Sequence, residues 1–363
     1  MKVALVYDRV NKIGGAERVL KVLHEIWPKA PLYTALYNQE TASWADSFNV
    51  KPSFLQKIPG AKTRHQWLAW LAPLAFESFD FSDYQVVISV TSAEAKGIIT
   101  LPGTIHICYC LTPTRYLWSG KTIYEKDGLK GWFLKTFGIG FRVWDFAAAQ
   151  RPDLMVAISQ TVKRRIGKYY RRPARVIYPP LETNLLKKEK GKDASFYLLV
   201  SRLVKYKRVD LAIKAFNQLG KKLIIVGQGE EERRLKALAK SKIIFISQLT
   251  DKELVGYYQS CRALIFPSEE DFGLVSLEAQ AMGRPVIGYI KGGAAETIIP
   301  GKTGLLFPKP TTASLIKAVR TFETKTWQEK DCRQQAKKFS KNKFKKSFKA
   351  LVEEQWQKHQ QTI

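Results

Sequence analysis

The chain has 363 residues, 45% hydrophobic and 25% charged, with a formal net charge of +28. That length gives a prior of two domains, and the composition excludes a collagenous, disulfide-scaffold or wholly disordered chain. The charge favours anionic partners, such as phosphorylated substrates, acidic lipid headgroups or nucleic acid.

The first apolar run, residues 3–7, reads as a buried strand and is halted by Asp8 and Arg9, too soon for a signal peptide. A loop with Gly14 and Gly15 follows, then a helical period over residues 16–27. Strand, glycine-rich loop and helix open a doubly wound α/β domain. The segment 54–81 mixes basic residues (Lys57, Lys62, Arg64) with aromatics (Trp67, Trp70, Phe76, Phe79). It fits either core packing or an amphipathic lie on an anionic membrane. Further strands are expected at residues 86–90, 105–110, 154–159 and 175–178. The four cysteines have no zinc-ligand spacing, and they read as buried thiols in a reducing compartment. No run approaches the ~20 apolar residues of a membrane span, so any membrane contact is expected to be peripheral.

Residues 183–193 have no apolar period and read as a linker. Domains are therefore expected at 1–182 and 194–327. The second half alternates strands at 197–201, 222–227, 243–247, 263–267 and 285–289 with helices at 210–219, 230–240, 252–260 and 274–282. Short connections of this kind imply a parallel sheet covered on both faces. The tail, 328–363, reads as basic and helical, one face packing onto the body. Two Rossmann-like halves should face a cleft that holds the site, because open parallel sheets bind ligands beyond their carboxyl strand ends.

Two motifs carry the chemistry. The first, Ser268 to Glu278, runs from an apolar strand into a helix. Gly273 permits close backbone approach, and the helix-start amides of Leu274 and Val275 suit phosphate oxygens. Glu278, one turn further, suits two ribose hydroxyls. The second follows an earlier strand: Ser201-Arg202-Leu203-Val204-Lys205-Tyr206-Lys207. Arg202 and Lys207 would neutralise a diphosphate leaving group.

Gly14-Gly15-Ala16-Glu17, Ser201-Arg202-Leu203 with Lys207, Val226-Gly227-Gln228-Gly229, and Glu270-x7-Glu278 with Gly292-Gly293 together resemble glycosyltransferase family 4. The resemblance implies an α/β GT-B fold, with a C-terminal helix packing back towards the N-terminal domain. It also implies retaining, metal-independent transfer from a nucleotide-diphosphate sugar, with no other cofactor. Arg202, Lys207 and Glu270 would be the catalytic set. Gly15, Gly229, Gln248, Leu249, Gly273, Leu274, Val275 and Glu278 would bind the donor. The segment 107–118 resembles a mannosyltransferase-like branch in which a His usually stands at Leu111; that departure leaves the sugar open. Leu111, Arg115 and Trp118 would line the acceptor or sugar pocket, although packing explains Trp118 equally, and His106 reads as a structural residue. A lipid-linked or glycan acceptor for cell-surface polysaccharide or glycolipid is implied, with the protein cytoplasmic and peripheral on an anionic inner membrane face. Three other functions fit parts of the sequence. An NAD-dependent oxidoreductase lacks the third glycine of its fingerprint after Gly227 and Gly229. A GT-B sugar-nucleotide epimerase would share the donor site. An RNA-binding protein is suggested by charge alone, without a nucleic-acid motif, so nucleic acid is not an expected partner.

Overall fold

The structure, a computed structural model, describes residues 1–61, 68, 70–120, 128–182 and 195–361. The expected linker, 183–193, and Lys62, Arg64 and Trp67 lie outside the described residues. The chain divides into two compact units: Met1–Pro180 with Phe344–Ile363, and Leu181–Lys343.

The first unit holds strands β1 (Val3–Tyr7), β2 (Leu32–Thr34), β3 (Val50–Pro52), β4 (Val86–Thr91), β5 (Ile105–Cys110), β6 (Leu154–Ala157) and β7 (Arg175–Val176), in the order β3-β2-β1-β4-β5-β6-β7. Every pairing among them is parallel. β1, β4 and β5 are buried along their whole length, so they read as unbroken apolar runs rather than alternation. Helices α1 (Gly15–Ile26), α2 (Ala72–Glu77), α3 (Gly128–Ala148) and α4 (Gln160–Tyr170) belong to this unit. Residues expected to finish β6 instead start a helix: the Ser159 side chain accepts from the Val162 amide and caps α4. In the aromatic segment 54–81, Phe76 and Phe81 are buried in the core beside Phe79. Core packing therefore accounts for them.

The second unit is a six-stranded parallel sheet in the order β10-β9-β8-β11-β12-β13. Its strands are β8 (Tyr197–Val200), β9 (Leu223–Val226), β10 (Ile243–Ile246), β11 (Leu264–Phe266), β12 (Val286–Tyr289) and β13 (Gly304–Phe307). The period-two side-chain alternation sorts each strand between two cores. Leu223 and Ile225 of β9 enter one cluster with α5 (Val209–Leu219) and α10 (Thr312–Glu323). Ile224 and Val226 enter the other with α7 (Asp251–Ser260), α8 (Leu274–Ala281) and α9 (Ala294–Thr297). Helix α6 (Glu232–Leu238) is shorter than the expected 230–240 because its amide-capped end turns extended at Ala239. Helix α11 (Glu329–Lys337) packs on α8.

The last helix, α12 (Lys341–Gln360), returns to the first unit. Phe344 and Phe348 are buried against Tyr109 of β5, and Phe348 also meets Trp27 edge-on. Arg175 grips Glu354 through two hydrogen bonds of 2.7 and 3.0 Å. Among the described residues no helix is long and apolar enough to cross a membrane.

Candidate active site

Strand order reverses direction between β8 and β11 in the second sheet, and a doubly wound sheet opens its ligand crevice beyond the carboxyl strand ends at such a point. Both sequence motifs leave the sheet there. The loop after β8 carries Arg202 and Lys207; the loop after β11 carries Glu270 and Gly273. Lys207 and Glu270 form an ion pair, each only 14–15% exposed. Ser268 donates to the same Glu270 oxygen at 2.9 Å. Arg202 is exposed and donates to the Tyr206 hydroxyl at 2.6 Å.

Glycines fix this loop. Gly273, at φ +88°, caps α8, and a Cβ there would stand 2.6 Å from the Phe266 ring of β11. The Gly293 amide donates to the Glu270 carbonyl at 2.8 Å, and a Cβ on Gly293 would overlap the Phe272 carbonyl. The Glu270 backbone is thus clamped while its carboxylate faces Lys207. Leu274 and Val275 open α8, half-buried; the Ser276 amide beyond them is bonded to the Gly273 carbonyl at 3.0 Å. Glu278 lies on α8 and accepts from the Tyr258 hydroxyl of α7 at 2.7 Å. Gly229 follows β9, where a Cβ would overlap the Leu203 carbonyl, so this glycine lets the loops after β8 and β9 close on each other. Gln248 and Leu249 follow β10, the glutamine exposed and the leucine packed against the core.

Gly15, Leu111, Arg115 and Trp118 belong to the first unit. Its own direction change lies between β1 and β4, and a polar network occupies the strand ends there. Asp8 accepts from Thr91 Oγ1 at 2.7 Å, from the Ser92 amide at 2.7 Å and from the Ala95 amide at 2.9 Å. Arg9 donates to Glu94 at 3.0 Å, and Tyr116 donates to the other Glu94 oxygen at 2.5 Å. Burial works against the Arg9 charge, and Glu94 outweighs it to raise the guanidinium pKa. Tyr7 donates to Glu17, the first-turn acid of α1, at 2.5 Å, and burial with Glu17 holds its phenol protonated. Gly15 begins α1 and is exposed.

Leu111 continues the ladder beyond β5, its amide bonded to the Thr91 carbonyl at 2.8 Å and its side chain half-buried. Trp118 stacks on Tyr169 and donates its indole N–H to Asp145 at 2.7 Å. Asp145, 1% exposed, also accepts from Lys96 at 2.5 Å, Thr114 at 2.5 Å and Tyr170 at 2.9 Å. Burial disfavours the Lys96 charge, and Asp145 more than compensates, so its pKa is raised. The indole N–H of Trp118 is thus spent within the protein. Arg115 is half-buried in the same loop. His106 is buried, its Nε2 2.8 Å from Ser89 Oγ, and burial pushes its pKa down to about 3. The four cysteines are free and buried, and burial pushes the Cys108, Cys261 and Cys332 thiols up to about 12. Sequence reasoning missed Glu94, Lys96 and Asp145, because their partners are distant in the chain. The only local signal was a lone Asp in an apolar stretch.

Residues 182–339 match the family model described as "Glycosyl transferases group 1", which is less than half of the chain. An uncharacterized glycosyltransferase of Methanocaldococcus jannaschii is 28% identical over 199 residues, 53% of this chain and 56% of that protein. An alpha-1,3/1,6-mannosyltransferase of Dictyostelium discoideum is 31% identical over 35% of this chain and 37% of its own length. The chain therefore spans about half or less of these relatives. Among solved structures, Anabaena HepE in complex with UDP aligns with a TM-score of 0.73 at 17% identity, over 98% of this chain and 100% of that one. Sucrose-phosphate synthase from Thermosynechococcus elongatus aligns with a TM-score of 0.76 at 17% identity, over 98% and 99%. The chain has the GT-B fold of these structures, two Rossmann-like sheets with the last helix returned to the first.

Proposed function

We propose that the protein is a glycosyltransferase that takes a sugar from a nucleoside-diphosphate donor bound on the second unit. The observation that carries this is the meeting of Arg202 and Lys207 with Glu270 and the Gly273 turn at one strand-order reversal. A departing diphosphate gains negative charge, and two fixed cations stabilise it most when they stand ready before the reaction. Lys207 would exchange Glu270 for the diphosphate, freeing the Glu270 carboxylate for donor sugar hydroxyls. Glu278 would accept from the ribose in place of Tyr258. Gly273, Leu274 and Val275 would offer backbone to phosphate, Gly229 would line the donor loop, and Gln248 and Leu249 would stand near the base. The names of the curated relatives support glycosyl transfer, and a structure of the same fold in complex with UDP-glucose supports this class of donor.

The finer reading is retaining transfer without a metal, in the manner of glycosyltransferase family 4. Mannose is a candidate sugar, and the acceptor is a lipid-linked or glycan molecule of cell-surface polysaccharide or glycolipid, met at the cytoplasmic membrane face. In the first unit, Gly15 would approach the diphosphate, and Leu111, Arg115 and Trp118 would border the acceptor or sugar. Because the Trp118 N–H is engaged by Asp145 and its ring is engaged by Tyr169 and the Arg142 guanidinium, that residue would shape the pocket wall and not donate a hydrogen bond. The test is calorimetry against UDP-, GDP- and ADP-sugars, followed by a transfer assay with lipid and glycan acceptors. Micromolar binding of one nucleotide sugar that is lost in Lys207→Ala supports the assignment. Binding of none, or binding indifferent to both Lys207→Ala and Arg202→Ala, overturns it.

A further inference from the structure

Exposed large apolar side chains are not spread evenly over this protein. Seven of the twelve found among the described residues, Trp70, Leu74, Ile99, Leu101, Phe137, Ile139 and Val143, come from one region of the first unit. Helices α2 and α3 both pack on the short 3-10 turn Ala95–Gly97, and Ile99 and Leu101 stand in the loop that leaves it. Trp144 of α3 donates to Glu77 of α2 at 2.9 Å, and its ring fills the space beside Gly97 that a Cβ would need. The three segments therefore form one surface.

On α3, the outward positions after Thr136 are Phe137, Ile139, Gly140, Val143 and Ala147. Ile139, Val143 and Ala147 recur every fourth residue and so share one face, with Ile139 72% and Val143 65% exposed. A helix on a water-facing surface ordinarily turns polar residues outward, and between Ile139 and Ala147 this one leaves no polar side chain exposed. Among the described side chains of α3, the exposed charge is Lys135, one turn before Ile139; Arg142 is half-buried with its guanidinium over the Trp118 ring, and the acid of this turn, Asp145, is buried and paired with Lys96. Glu77 of α2 is paired with Arg151 at 2.7 Å. A second copy of the chain would carry the same net charge of +28, which opposes pairing between copies.

We infer that this face, α2, α3 and the loop after Gly97, is a docking surface for an anionic lipid bilayer. The apolar stripe enters the headgroup boundary, and exposed Lys135 at its end, with the net positive charge of the chain behind it, meets acidic headgroups. The inference goes beyond the proposed transfer and rests on the first unit alone. Of the aromatic segment 54–81 it keeps Trp70 and Leu74, which are exposed, and leaves out Phe76 and Phe79, which pack in the core.

Co-sedimentation of the full-length protein with phosphatidylcholine vesicles, with and without phosphatidylglycerol, tests it. Binding is expected to the phosphatidylglycerol vesicles. The double variant Ile139→Glu with Val143→Glu should lower the bound fraction about tenfold, since it places two charges where apolar surface was buried. Ile244→Glu, exposed in the second unit, should bind like the parent. All these positions are exposed, so folding should survive, which circular dichroism checks. Calorimetry with the nucleotide sugar should be unchanged in the double variant, and this keeps the lipid surface separable from the donor site. The inference is overturned if the parent ignores phosphatidylglycerol, or if the double variant binds vesicles as the parent does. It is also overturned if sedimentation velocity shows a parental dimer that this variant abolishes.

Discussion

Lys207 and Arg202 should fail differently when removed. Lys207 is already neutralised by Glu270, whereas Arg202 leans on the neutral Tyr206 hydroxyl. Losing one cation from a charge-stabilising site costs roughly 100–1000-fold in turnover. Lys207→Ala should fall within that range and also strand the Glu270 carboxylate where a diphosphate would arrive. Adding Glu270→Gln to Lys207→Ala should therefore recover part of the donor affinity, although Glu270→Gln alone lowers turnover. A double-mutant cycle on donor affinity reads this coupling, and strict additivity would show that the two side chains do not share the diphosphate. These residues were legible because each sits within a few positions of a strand end. Tyr258 was not legible as the partner of Glu278, since it looks like one more apolar position of α7. His106 offers a test at the same scale. Its folded pKa, about 3, lies below the ordinary ~6.5, so between those values the unfolded chain binds the extra proton. Stability from this residue is full above pH ~6.5 and is lost as pH falls towards 3. His106→Leu should flatten that loss. Urea midpoints at pH 7 and pH 5 measure it, and an equal drop in parent and variant would place the acid sensitivity elsewhere.

Among elements, the second sheet was readable almost strand by strand. Its strands are short apolar runs separated by glycine or lysine-rich turns, and parallel burial leaves no competing pattern. What escaped was short or irregular. β2 and β3 have three residues each, and β13 has four, opening on Gly304 directly after the Gly301-Lys302-Thr303 turn. α3 escaped for a different reason: Gly131, Gly138 and Gly140 weaken its helix propensity, and its outward face is apolar, so no amphipathic period marks it. What holds α3 in place is Asp145, which draws Lys96, Thr114, Trp118 and Tyr170 onto it from three other segments. Removing one member of a buried, hydrogen-bonded ion pair strands the other, at a cost of about 3–5 kcal/mol. Asp145→Ala should therefore lower stability by that order, and Asp145→Asn by less, because the amide oxygen can keep some of the donors. Chemical denaturation with tryptophan emission follows both. An Asp145→Ala protein as stable as its parent would mean that the cluster contributes no net stability.

Taken whole, the first unit is discontinuous in sequence: the chain builds most of it, then all of the other, and finishes by returning α12 to the first. The sequence reads the basic tail as a helix with one face packed onto the body and its lysines solvated. In the structure Phe344, Phe348, Leu351 and Val352 of α12 form that buried face, and none of its lysines is buried. That return makes the first unit's stability depend on residues that follow the second unit in sequence. Phe348 is the most central, fully buried between Tyr109 of β5 and Trp27. Truncating a buried phenylalanine to alanine costs about 3–5 kcal/mol, through lost transfer energy and a residual cavity. A domain has only about 5–15 kcal/mol in total, so Phe348→Ala should lower the melting of the first unit by many degrees. The second unit keeps its own cores and the Lys207–Glu270 pair, none of which Phe348 touches. Calorimetric scanning of Phe348→Ala should therefore show an early transition split from a later one. A nucleotide that binds the second unit should raise only the later transition, by mass action on its folded state. One unsplit transition at the parental temperature would show that α12 adds little to the first unit. Loss of nucleotide binding in Phe348→Ala at a temperature where both units are folded would show that the donor site depends on the returning helix.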